Sequence, residues 1–210
     1  MAQIESEVKL MVSAGDYRHL LDVGRIVECR EQLNIYLHDP GRLQEGLGYF
    51  RVRFETGKEP VASLKIPVGW EGDVRRMVEM EEPLQAMGPA LYPRPHRRVA
   101  VRPHLPTAMA RHFLDLGIEE LRRLGWMRNR RCFVAFQGAG VAEVDRTILP
   151  DGSVQFEVEI ETDDGAVRDA LVARIRAEAP SARFSELGKF SRFLNVVMVP
   201  DSSGRPGLRG

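Results

Sequence analysis

Seven segments of this 210-residue chain alternate charged and apolar residues with period two, and most of them carry charges of a single sign. Side chains at i and i+2 share one face of a strand. IESEVKL therefore sets Glu5, Glu7 and Lys9 against Ile4, Val8 and Leu10. YFRVRFET sets Arg51 and Arg53 against Phe50, Val52 and Phe54, and VASLKIPV sets Lys65 against Leu64 and Ile66. RRMVEMEEP presents Glu79 and Glu81 opposite Val78 and Met80, and RNRRCFVAF presents Arg128 and Arg130. VAEVDRTI carries Glu143 and Asp145 opposite Ala142 and Val144. SVQFEVEIET carries Glu157, Glu159 and Glu161 opposite Phe156, Val158 and Ile160. A chain patterned this way is driven toward antiparallel sheet with one apolar and one charged face.

That charged face either looks at water or lines an interior. Wet surfaces mix signs, because neighbouring like charges repel. Sets such as Glu-Glu, Arg-Arg and Glu-Glu-Glu gain nothing for the fold. They suit ligands of opposite sign: carboxylates hold hard divalent cations, and Arg and Lys hold phosphates. A lumen carrying both would take a polyanion together with its metal ions. On the residues alone, the solvated face and the charged lumen stay level.

The remaining segments supply the frame. SAGDYRHLLDVG reads as a short helix stopped by Gly24, and RIVECREQLNIYL as one more strand, ended by the turn HDPGRL. About eight strands in hairpin-like succession, with helices at the joints, describe an α+β chain on a mostly antiparallel sheet, and eight strands close a small barrel. Five prolines from Gly88 to Pro106 predict an irregular excursion carrying Arg94, Arg97, Arg98 and Arg102, read as solvated. Met109, Phe113, Leu114, Leu116, Leu121 and Leu124 form a stripe that predicts a helix over 107–124, stopped by Gly125. DDGAVRDALVARIRAEAP reads as a helix, and FSELGKFSRFLNVVMVP as a short helix followed by a strand. The last residues, DSSGRPGLRG, read as a flexible tail.

Thirty basic residues balance thirty acidic ones, which argues against a general nucleic-acid binder. Cys29 and Cys132 have no metal-like spacing and read as two free thiols suited to a reducing cytoplasm. No apolar run approaches the ~20 residues that span a bilayer, and the N-terminus lacks a signal-peptide pattern. These features predict a soluble, cytoplasmic protein with no membrane partner. Walker A, G-x-G-x-x-G and H-E-x-x-H motifs are absent, and the five histidines are scattered.

Taken in order, the segments resemble the CYTH superfamily, the triphosphate tunnel metalloenzymes. The E-x-E-x-K of Glu5, Glu7 and Lys9 is similar to its N-terminal signature. EQLNIYLHDPGRL, YFRVRFE, ASLKIP, VEMEEP, RNRRCF, AEVD, FEVEIE and ELGKF follow in the family's sequence, from Ile4 to about Val199. The resemblance implies a closed eight-stranded antiparallel β-barrel with flanking helices over 1–199, interrupted by the 88–106 excursion and followed by the tail 200–210. It implies one or two Mg or Mn ions held by Glu5, Glu7 and members of Glu157, Glu159 and Glu161, with Asp145. It implies phosphate binding by Lys9, Arg51, Arg53, Lys65, Arg128 or Arg130, and Lys189. Glu79, Glu81 and Asp145 would complete the acidic wall, at a second metal or the attacking water. The sequence departs from the family at Gly188, where a Ser is common before the lysine.

The leading activity under this resemblance is hydrolysis of a small triphosphate, first inorganic tripolyphosphate to pyrophosphate and phosphate. Thiamine triphosphate and nucleoside triphosphates are the alternatives; they rank second because no aromatic cluster stands in the presumed tunnel strands. An adenylate cyclase of the class that names the family is a further alternative, but its His-Phe element ahead of E-x-E-x-K is missing. A non-catalytic polyphosphate-binding module would not need so many carboxylates. A monomer and a homodimer stay equally open.

Overall fold

The computed structural model describes residues 2–39, 48–84, 98–185, 187–200 and 206–208. Eight strands close on themselves: β1 (Ala2–Met11), β2 (Arg25–His38), β3 (Tyr49–Glu55), β4 (Val61–Glu71), β5 (Val74–Pro83), β7 (Glu120–Phe136), β8 (Gly140–Ile148) and β9 (Val154–Glu161). Their order around the wall is β1-β5-β4-β3-β2-β7-β8-β9, and β9 pairs back onto β1. Every pairing is antiparallel, with Lys9 opposite Glu159 and Gln3 opposite Glu79 at the two seams of β1. Closure leaves the barrel without long free edges. Two short strands extend it: β6 (Arg98–Ala100) pairs with β7, and β10 (Arg183–Phe184) pairs with the end of β1.

The apolar faces point outward, under helices. The helical turn α2 (Val101–His104) and α3 (Thr107–Asp115) cover one side, where Met109 and Phe113 pack on Ile35, Phe50, Val52 and Leu64. The other side is covered by α1 (Ala14–Val23) and α4 (Gly165–Glu178), whose Tyr17, Leu20, Leu171 and Ile175 meet Val8, Leu10, Val144 and Val158. Both helices start on side-chain caps: Ser13 accepts from the Asp16 N–H, and Asp164 from those of Ala166 and Val167. At one end of the barrel, α5 (Lys189–Val197) packs Phe193 and Val197 on Tyr36, Leu124 and Met127. With the apolar faces taken by these layers, the charged faces line the lumen. Asp145 is 0% exposed, Glu157 1% and Glu159 3%, which excludes the solvated-sheet reading.

Three sequence expectations need correction. The helix predicted over 107–124 ends at Asp115, and Gly117 turns the chain with φ 69°. Leu121 and Leu124 belong to β7. Their three-residue spacing imitates a helix because the β2–β7 ladder slips between Tyr36 and Leu37, so both leucines reach apolar layers. The proline-rich excursion gives way at Arg98 to β6 and the α2 turn; Arg94 and Arg97 lie outside the described residues. Cys29 and Cys132 are not free thiols: they stand directly opposite one another on β2 and β7 and form a disulfide across 103 residues of sequence. Spacing rules miss it because the antiparallel register, not proximity in the chain, brings the sulfurs together. The step from free thiols to a reducing compartment therefore loses its footing.

At the C-terminus, β12 (Pro206–Leu208) pairs antiparallel with β11 (Met198–Pro200), within the segment predicted to be a tail. No helix among the described residues is long and apolar enough to cross a membrane.

Candidate active site

The lumen is a cavity of about 440 Å³ with walls of opposite charge. Glu143 and Asp145 of β8, the three glutamates of β9, and Glu5 and Glu7 of β1 form an acidic arc into which Lys9, Arg131 and Lys189 reach. Across from it stand Arg51 and Arg53 of β3 and Lys65 of β4. Strand periodicity alone produces this arrangement, since each set occupies alternate positions of one strand. Lys189, at the first turn of α5, enters from the end.

Internal ion pairs tie the walls together. Lys9 Nζ lies 2.8 Å from Glu7 and 2.7 Å from Glu159. Lys65 Nζ lies 2.6 Å from Glu5 and 3.1 Å from Glu79. Lys189 Nζ reaches Asp145 and Glu157 at 2.6 Å and Glu159 at 3.1 Å. Arg131 donates through Nε and Nη2 to Asp145 at 3.0 and 2.7 Å, and also pairs with Glu143 and Glu159. Arg51 lies 3.6 Å from Glu79 and 3.7 Å from Glu81, and Ser63 donates to Glu81 at 2.7 Å. Arg53 differs: its Nε donates to Asn34 Oδ1 at 3.1 Å, and no carboxylate lies within ion-pair range among the described residues.

The proton affinities follow this geometry. Burial works against a charged Lys9, but Glu159 and Glu7 overcome it and hold the ammonium well above its usual range. Burial likewise opposes Lys65 and Lys189, yet Tyr49, Glu79 and Glu5 hold Lys65, and Asp145, Glu157 and Glu159 hold Lys189, above the ordinary lysine value. Arg53 is pushed down to about 10, first by burial and then by Arg51 and Arg131. Burial would raise Glu159, but Lys189, Lys9 and Arg131 keep it well below the usual carboxylate range. Glu143 rises to about 8 through burial, with Glu161, Glu159 and Asp145 adding to it against the pull of Arg131. Glu161 is exposed at the mouth, yet its carboxyl is hemmed in; burial of that group, then Glu159 and Glu5, raise it to about 7.

Three carboxylate triads bring their oxygens within 4.8 Å of one another: Glu5, Glu7 and Glu161; Glu143, Glu159 and Glu161; and Asp145, Glu157 and Glu159. An all-oxygen donor set suits a hard divalent cation such as Mg or Mn. The first two triads share Glu161 at the cavity, where a divalent cation would offset both the burial and the crowding of carboxylates that raise Glu143 and Glu161. The third is already bridged by Lys189.

Of the residues singled out in the sequence, Glu5, Glu7, Lys9, Arg51, Arg53, Lys65, Glu79, Glu81, Asp145, Glu157, Glu159, Glu161 and Lys189 gather in and around this lumen. Arg128 and Arg130 do not. Both are exposed on the outer face, Arg128 over the Trp126 ring and Arg130 3.7 Å from Glu31. The inward positions of β7 are Asn129, Arg131 and Phe133. A usable signal was present: Arg128 and Arg130 share parity with Cys132, Val134 and Phe136, which continue into the outer apolar layer. Apolar Phe133 and Ala135 on the other parity obscured it. Sequence reading also gave Glu143 no role, and it missed the chain in which Thr147 donates to Asn129, Asn129 to Gln32, and Gln32 to Glu55. Arg192, which grips Glu157 from α5, was missed as well. Glu186 of the ELGKF element lies outside the described residues.

The CYTH domain profile matches residues 3–194. The chain belongs to the CYTH family. Its fold is similar to that of a candidate adenylyl cyclase from Hippeastrum that has a dominant triphosphatase activity: TM-score 0.74, 22% identity, covering 93% of this chain and 98% of the other. It is also similar to a candidate adenylate cyclase from Bacillus halodurans, with TM-score 0.62 and 19% identity over 91% of this chain and 98% of that one. A Pyrococcus horikoshii protein, PH1819, aligns with TM-score 0.57 and 14% identity over 91% and 99%. At these identities the likeness concerns the CYTH fold. No curated protein sequence matches this chain.

Proposed function

We propose that this CYTH chain is a metal-dependent phosphohydrolase that converts inorganic tripolyphosphate and water to pyrophosphate and phosphate. The observation that carries the reading is the facing of acidic residues by Arg51, Arg53 and Lys65 across one cavity that opens to solvent. A triphosphate alone would be repelled by the arc, and a cation alone by the basic wall. Together they match both.

Glu5, Glu7 and Glu161, with Glu143 and Glu159 beside them, would hold the cation, which when bound neutralises phosphate oxygens and lowers the pKa of water. Arg53 has no carboxylate to release and offers its guanidinium directly to a phosphate oxygen. Lys65, Lys9 and Arg51 would exchange their present carboxylate partners for phosphate oxygens, and the carboxylates so released would face the cation. The low-dielectric walls strengthen these contacts and require no reorganisation at the moment of reaction. Asp145, fully buried and held down by Arg131 and Lys189 against the effect of burial, stays ionised and fixes both cations in place.

The deciding experiment measures phosphate release from tripolyphosphate, thiamine triphosphate and ATP with Mg, Mn or EDTA. Release from tripolyphosphate that requires the metal supports the reading. Release that persists in EDTA overturns the metal dependence, cyclic AMP with pyrophosphate from ATP points to the cyclase instead, and binding without turnover points to a non-catalytic module.

A further inference from the structure

The lumen is not lined by charge alone. Tyr36, Tyr49 and Phe133 reach it, against the expectation of tunnel strands without aromatic residues. Between Arg53 of β3 and Arg131 of β7 stands a neutral patch, where Gln32 and Asn34 of β2 and Asn129 of β7 line the cavity. Asn34 and Asn129 are 2% exposed and Gln32 4%. In the closed ring, β2 lies four strands from β1 in either direction. The amides of β2 therefore stand across the lumen from Glu5 and Glu7.

Their orientation is fixed by partners that have no choice of role. Four residues occupy one rung of the wall: Gln32 is opposite Glu55 on one side and Asn129 on the other, and Asn129 is opposite Thr147. Burial would raise Glu55, but Lys58, Gln32 and Arg30 hold its carboxyl below the usual value. Ionised, it can only accept, so Gln32 donates to it through Nε2 at 3.0 Å. Gln32 Oε1 is then left to accept from Asn129 Nδ2 at 3.2 Å, and Asn129 Oδ1 from the Thr147 hydroxyl at 2.9 Å. Asn34 is set independently: Arg53 Nε can only donate, so Asn34 turns Oδ1 to it. Among the described residues, these bonds leave both Nδ2 hydrogens of Asn34 without an acceptor, and one hydrogen each on Asn129 and Gln32.

Lys65, Lys9 and Arg51 must release a carboxylate before they can take a phosphate oxygen. Amide N–H groups need no counter-ion, so their hydrogens are in place before a ligand arrives, and donors fixed in advance cost no reorganisation. A triphosphate held on one side by a cation at Glu5 and Glu7 turns its other oxygens across the lumen, where the amides stand. We propose that Asn34, Asn129 and Gln32 form an uncharged donor cradle that binds phosphoryl oxygens on the side away from the cation. The cradle rests on the triphosphate reading of the lumen and adds to it three ligand-contacting residues that carry no charge.

The test is a calorimetric titration with imidotriphosphate and Mg; its bridging NH groups resist hydrolysis, so binding is read without turnover. Wild type is compared with Asn34→Ala, Asn34→Asp, Asn129→Ala and Thr147→Val. Loss of a hydrogen bond to a charged group should raise Kd about tenfold or more in each asparagine variant. Thr147→Val breaks the same rung behind Asn129 but removes no donor from the cavity, and should stay within about threefold of wild type. Asn34→Asp keeps an acceptor for Arg53 while removing both donors. If it binds like wild type, Asn34 only orients Arg53 and the cradle is overturned. An unchanged Kd for Asn34→Ala or Asn129→Ala also overturns it, as does a Thr147→Val rise equal to that of Asn129→Ala, which would mean a merely structural network. In each of these cases binding by the wild type leaves the triphosphate reading standing. A wild type that does not bind the analogue refutes that reading itself, and the cradle with it.

Discussion

Replacing Arg131 by Met tests the electrostatic account of the lumen at its most buried point. Arg131 compensates Asp145, Glu159 and Glu143 at once, and Asp145 is 0% exposed. Removing one partner of a buried ion pair typically costs about 3–5 kcal/mol, because the remaining charge stays desolvated. Lys189 still holds Asp145 and Glu159, which places the expected loss toward the lower end of that range. For a chain of this length the range corresponds to a fall in Tm of about 6–20 °C. The pH dependence gives the sharper signature. In the wild type, Asp145 and Glu159 titrate below their ordinary values, so they contribute stability at neutral pH that is lost as pH falls through those values. Without Arg131, burial acts on them less opposed, and their affinities for protons rise. Protonation then relieves the variant as pH falls from 7 to 5. Urea unfolding followed by tryptophan fluorescence in EDTA, at both pH values, should show a gap between variant and wild type that narrows at pH 5. A gap below about 1 kcal/mol at pH 7, or one that widens at pH 5, would refute the reasoning.

Glu7→Gln, nearly isosteric, should keep the fold by circular dichroism and lower tripolyphosphate turnover at least about 100-fold if Glu7 helps hold the cation. Arg128→Ala with Arg130→Ala should leave that turnover within twofold, since both side chains stand on the outer face; a larger fall would put β7 in the other register. Reduction with dithiothreitol should lower the urea midpoint, with a loss of up to about 4–5 kcal/mol for a loop of this length. A midpoint unchanged by reductant would argue that Cys29 and Cys132 are not bonded in solution.

The barrel was legible because the pattern is redundant. Each of β1, β3, β4, β5, β8 and β9 repeats the same apolar–charged alternation, and one misread strand does not change the answer. Legibility failed where a local pattern served two periods. Leu121 and Leu124 fit a helix and a bulged strand equally well. The arginines of RNRR fit either parity until one asks which parity leads into Val134 and Phe136. The disulfide and the Asn129–Gln32 bond were invisible for a different reason: both depend on the register of β2 against β7, and their partners are about a hundred residues apart. Charges could be sorted by sign from the sequence, but which cation answers which carboxylate is a property of three dimensions.

The double pairing of β1 has a temporal consequence. Its first partner, β5, emerges early, but its second, β9, includes Glu159, 150 residues after Lys9. At roughly 5–20 residues per second of synthesis, the first strand waits about 8–30 s before the last can dock. Contacts of such long range are slow to form, because loop closure precedes any gain from pairing. Through that interval the glutamates of β1 have no β9 beside them. The tunnel is thus a late, all-or-none product of ring closure, and a nascent chain released before β9 would carry the E-x-E-x-K signature without a binding site.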